Sequence, residues 1–142
     1  MSETRSTEER HRDGAKVRRE VLGAAYVDSG KTPDPFNQHF LDFTIDQCWG
    51  NVWLRPGLDR RTRSMLNLAM LTALGRWHEL EVHTRGALNN GVSEEEIAEC
   101  LLQAGVYAGV PVAGNIPLAE PVAGVAEATR KFEPSNSSLT SS

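Results

Sequence analysis

Between residues 6 and 108 the apolar side chains recur at intervals of three and four, and they do not alternate with polar ones over any useful length. That period belongs to amphipathic helices, and a sheet built on two-residue alternation is excluded by it. The punctuation agrees. Residues 6–25 are rich in helix formers, with Val17, Val21 and Leu22 at helical spacing. Asp28, Ser29, Gly30, Pro33 and Pro35 then form a loop. A second apolar stretch, 36–52, reads as a helix buried on much of its circumference, and Arg55-Pro56-Gly57 ends it. Asp59 is placed to cap a third helix that carries Met65, Leu66, Leu68, Leu71 and Thr72 and stops at Gly75. A fourth runs over 76–89 with Leu80, His83, Ala87 and Leu88 on one stripe and ends at Asn89-Asn90-Gly91. Ser93 and Glu96 form a capping box for a fifth helix over 93–108. Pro111, Pro117 and Pro121 interrupt the alanine- and valine-rich stretch 109–130, which predicts a broken or kinked sixth helix. The reading is one all-α domain over residues 1–132, followed by a disordered polar tail over 133–142.

Size and charge narrow the function classes. A chain of 142 residues buries about two-thirds of its unfolded surface, enough to fold without a disulfide or a metal. The formal net charge of −4 argues against a nucleic-acid partner. No apolar run has transmembrane length, and the charged N-terminus has no apolar core of the kind a signal peptide needs. The expectation is a cytoplasmic protein without membrane partners. Cys48 and Cys100 form no CxxC, the four histidines form neither HxH nor HExxH, and no glycine-rich phosphate loop or GxSxG elbow is present. No metal site is expected.

Two groupings carry chemistry. Glu79 and His83 are four residues apart in the fourth helix, and Arg76 lies on the same side. An acid, an imidazole and a guanidinium on one face can hold an anion and move a proton. The spacing alone more often belongs to a solvated helix face. The second grouping is Arg55, Arg60, Arg61 and Arg63, the last three in the first turn of the third helix. Guanidinium forks bind carboxylates in bidentate fashion, and a helix start already favours anions. The competing role is ion pairing with acidic runs such as Glu94-Glu95-Glu96 across a subunit interface. Trp49, Trp53 and Trp77 fit a pocket wall, or more commonly a core or interface.

Arg55 to Arg76, Glu79 to Ile97 and Leu101 to Pro111, together with Lys16 to Asp28 and Phe36 to Trp53, resemble the γ-carboxymuconolactone decarboxylase family. That family belongs to the alkylhydroperoxidase-like all-α superfamily. The resemblance implies a helical bundle of about six helices that assembles as a homo-oligomer, a trimer or a hexamer. It implies a cofactor-independent decarboxylase acting on a small anionic lactone in aromatic catabolism. Arg76 and Glu79 occupy the positions where the redox branch of the superfamily carries the two cysteines of CxxC, so a thiol peroxidase is disfavoured. The implied catalytic residues are His83, Glu79 and Arg63. Arg55, Arg76, Trp49 and Trp53 are the implied substrate-binding residues. Glu79 is expected to orient His83 and raise its pKa. Gln47 and Asn51 stand where a histidine and an acidic residue are usual, and the Trp77-His78 segment is normally more acidic. Those departures keep two alternatives open: a paralogue acting on another small carboxylated lactone or keto acid, and a non-catalytic oligomer that binds a small anion.

Overall fold

The computed structural model describes residues 5–30 and 32–109. The expected sixth helix over 109–130 and the expected tail lie outside the described residues, Gly109 excepted. The described residues are helical, without strands, in the order α1 (Thr7–Leu22), α2 (Ala24–Ser29), α3 (Pro35–Thr44), a π-helical segment (Ile45–Val52), α4 (Arg60–Ala73), α5 (Trp77–Asn89) and α6 (Glu94–Ala108). None is long and apolar enough to cross a membrane.

Helix starts follow the caps. Ser6 and Glu9 form a reciprocal capping box on α1, and Ser93 and Glu96 form another on α6. The Asp34 carboxylate accepts from the backbone N–H groups of Phe36 and Asn37, with Pro35 at the first helical position. Asp59 accepts from the Thr62 N–H at 2.7 Å and starts α4. The helix expected over 6–25 divides in two, because Gly23 takes φ 90° and so ends α1 before α2 begins.

The stretch 36–52 also departs from a single regular helix. Past Thr44 the winding loosens from α to π, and the Trp53 N–H reaches the Cys48 carbonyl, five residues back, at 3.0 Å. The wider coil brings Trp49 and Trp53 into a stack, with ring centroids 4.9 Å apart. Gly14 of α1 and Gly50 of the π segment let the two backbones touch. A Cβ built on Gly14 would lie 2.5 Å from the Ile45 carbonyl oxygen, and one on Gly50 would lie 2.4 Å from the Arg10 carbonyl oxygen.

Two apolar cores result, with α5 between them. One joins α4, α5 and α6 through Leu68, Leu80, Ala87, Ile97 and Leu101, and includes Val92. The other joins α1 to the π segment through Val17, Val21, Leu22, Trp49 and Trp53, with Val82 of α5 packed against it. The end of α5 is tied to both sides. The Asn89 amide donates to the Val21 carbonyl at 2.8 Å, and the Asn90 amide donates to the Ser64 hydroxyl at 2.9 Å. Asn89-Asn90 is therefore a cross-link as well as a helix stop.

Candidate functional site

His83 sits at the seam between the two cores. On one side its ring lies nearly parallel to both tryptophans, 6.1 Å and 7° from Trp49 and 6.5 Å and 20° from Trp53, measured between ring centroids and planes. On the other side the Asn67 side-chain amide nitrogen of α4 is 3.4 Å from Nδ1. The two tryptophans are 3% and 5% exposed. They are core residues that reach the site through the face of the imidazole, and they hold its plane.

The electrostatics at His83 differ from the simple expectation. Burial of the imidazole pushes its pKa below the ordinary histidine value, and the Glu79 carboxylate offsets only part of that fall. Glu79 does favour the imidazolium, as its spacing suggests, but it is exposed and acts through space. No Glu79–His83 hydrogen bond forms among the described residues. At neutral pH the ring is uncharged, with one nitrogen donating and the other accepting.

The arginines separate into two groups. Arg60 pairs with Glu20 at 2.8 Å, and Arg61 pairs with Glu96 and also donates to the Gly91 carbonyl at 3.3 Å. Both hold helices together, and the Arg61 pair lies within one chain. Arg63 meets no carboxylate among the described residues. Its Nη2 donates to the Arg55 carbonyl oxygen at 3.1 Å, and its Nε is buried with no described acceptor. Arg10 and Arg85 also have a buried Nε without an acceptor among the described residues. Arg63 differs in its position one turn before Asn67 on α4, on the side that meets His83. The Arg55 side chain is exposed, and its backbone is what steers Arg63. Arg76 is exposed at the N-cap of α5.

The structure thus brings together His83, Trp49 and Trp53, with Arg63 one turn along from the residue that touches His83. Arg55, Arg76 and Glu79 are exposed. Asn67 was not singled out by the sequence, although its place four residues after Arg63, within the otherwise apolar run 65–71, is a signal. Residues 38–116 match the model of the carboxymuconolactone decarboxylase family, more than half of the chain. The chain belongs to that family. It is 47% identical over 105 residues to 4-carboxymuconolactone decarboxylase of Acinetobacter baylyi, covering 73% of this chain and 78% of that one. It is 45% identical over 116 residues to nitrosuccinic acid decarboxylase npaB of Metarhizium robertsii, covering 78% of this chain and 81% of that one. The family and both relatives make this chain a decarboxylase, a carboxy-lyase.

Proposed function

We propose that the chain decarboxylates γ-carboxymuconolactone to β-ketoadipate enol-lactone and CO2. The observation that carries this reading is the pairing on α4 and α5. A guanidinium with a buried N–H that has no acceptor among the described residues lies one helical turn from the residue that touches a fixed, uncharged histidine.

In this substrate the departing carboxylate sits on the ring carbon γ to the lactone carbonyl, and the intervening C=C bond conjugates the two. As the C–CO2 bond breaks, its electron pair moves through that double bond onto the carbonyl oxygen. The substrate supplies its own electron sink. The protein must hold the dianion and stabilise the oxygen where charge collects. Arg63 binds a carboxylate through its outer N–H groups. Arg55 and Arg76, both exposed, add positive field for a dianion. His83 donates a hydrogen bond to the oxygen that gains charge, a role open to a neutral imidazole. Glu79 tunes His83 through space, and Trp49 and Trp53 back its ring. The α carbon of the resulting dienolate then takes a proton from water.

A second reading draws on the nitrosuccinic acid relative. A carboxylate on a carbon that bears a nitro group also leaves its electron pair in a sink, here a nitronate. Both chemistries need an anion grip and a donor at the sink. Gln47 and Asn51, exposed on the π segment, are residues that can separate the two substrates.

The first reading implies a cytoplasmic enzyme of aromatic (protocatechuate) catabolism, working as a homotrimer or homohexamer. The apolar surface of α3 supports assembly, since Phe36, Phe40 and Phe43 are 70%, 59% and 66% exposed. The deciding experiment is ultraviolet-monitored turnover of γ-carboxymuconolactone generated in situ, with nitrosuccinate run in parallel. His83→Ala is expected to lower kcat by about 10²–10³, the loss of one donor at the oxygen that gains charge. A loss below about tenfold in a folded variant removes His83 from the reaction. Turnover of nitrosuccinate alone selects the second reading.

A further inference from the structure

We propose that Asn67 is a positioning residue for His83, whose side-chain amide selects the tautomer that carries its proton on Nε2. The geometry leaves the imidazole little freedom. Trp49 and Trp53, both buried, lie parallel to the ring and fix its plane. The half-turn flip about χ2 keeps that plane while exchanging Nδ1 with Cδ2, and the Asn67 Nδ2 at 3.4 Å from Nδ1 opposes it. Because the ring is rigid, holding Nδ1 also sets the direction of Nε2.

An amide NH2 can only donate, so Nδ1 must present its lone pair, and the proton of the neutral ring then belongs on Nε2. Protonating Nδ1 would set N–H against N–H2, so the same contact also opposes the imidazolium. The burial-driven fall in the His83 pKa acts in the same direction. No described residue hydrogen-bonds Nε2, which leaves that N–H free for a ligand. Arg63 and Asn67 share one face of α4. A single helix therefore carries both the anion grip and the group that orients the donor on α5.

The test reads the tautomer directly. In protein labelled with 15N at histidine, long-range 1H–15N correlation spectra at pH 7.5 distinguish Nε2–H from Nδ1–H. The His83 signals are assigned by their loss in His83→Gln. The expected result is the Nε2–H form alone in the native chain and a mixture of both in Asn67→Leu. In the near-isosteric Asn67→Asp the carboxylate accepts from Nδ1–H, and the preference is expected to invert. Nδ1–H in the native chain, or pure Nε2–H in Asn67→Leu, overturns the proposal. A second readout rests on the decarboxylase reading. Asn67→Leu is expected to lower kcat by about tenfold or more while KM stays within about twofold, because the donor is mis-set but the anion grip remains. A rise in KM alone would make Asn67 a substrate contact and overturn the positioning role. Native protein that turns over neither substrate yet shows pure Nε2–H, mixed in Asn67→Leu, refutes the proposed activity and supports the role of Asn67.

Discussion

Arg63→Met separates binding from structure at the site, because the two effects are expected to have different sizes. Methionine keeps an unbranched apolar stem and removes the guanidinium. In the folded chain the change deletes one charge-assisted bond, Nη2 to the Arg55 carbonyl at 3.1 Å. Such a bond contributes about 1.5–3 kcal/mol, toward the low end here because Arg55 is exposed and water can replace the donor. The change also removes a buried N–H with no described acceptor, a group that costs about 1–3 kcal/mol where it stands. The two nearly cancel, so the urea midpoint should correspond to a stability within about 1 kcal/mol of the parent. Binding has no such offset. Losing a bidentate grip on a carboxylate, about 3 kcal/mol, should raise KM by about 10²-fold with kcat less affected. Urea unfolding and steady-state kinetics on the same preparation test both halves. A stability loss above about 2 kcal/mol with KM unchanged would show that Arg63 is a strut and not an anion grip. A fall in kcat alone would assign Arg63 to the transition state.

Two further outcomes follow from the structure. The folded-state pKa of His83 lies below its ordinary value, so as pH falls through the ordinary histidine range the unfolded chain takes up a proton there that the folded chain does not. Stability should therefore decline from pH 7.5 toward 5.5 more steeply in the native chain than in His83→Gln, and Glu79→Gln should steepen it further; equal slopes in urea titrations would rule out this linkage. Gly14→Ala should cost at least about 2 kcal/mol, since its Cβ would meet the Ile45 carbonyl oxygen at 2.5 Å and only backbone movement relieves that contact. An unchanged thermal midpoint would contradict the close crossing of α1 and the π segment.

Much of the fold was legible in the residues. The caps Asp59 and Ser93 and the stops Gly75 and Gly91 act locally, within a turn of the chain, so both ends of α4, the end of α5 and the start of α6 could be located without knowing their neighbours. The split at Gly23 and the π winding after Thr44 were not legible. Both are tertiary accommodations: the π segment widens where Trp49 and Trp53 pack under His83 and where Gly14 and Gly50 bring two backbones together. Their composition fits an ordinary helix equally well.

The site divides along the same line. Residue type and spacing, with the family resemblance, pointed to His83, Glu79 and Arg63 as a proton-handling and anion-binding set. Which arginines are already engaged depends on Glu20 and Glu96, far away in the chain, and only packing shows that Arg60 and Arg61 are paired with carboxylates while Arg63 meets none among the described residues. The sign of the His83 shift is likewise a tertiary property. The helical spacing supplies the Glu79 charge, but the desolvation that outweighs it exists only once α5 is enclosed between two cores. The sequence by itself determined the helices, their caps and the chemical types available on each face. The tertiary structure decided which of those groups lost water, because burial is set by elements that meet across long stretches of chain.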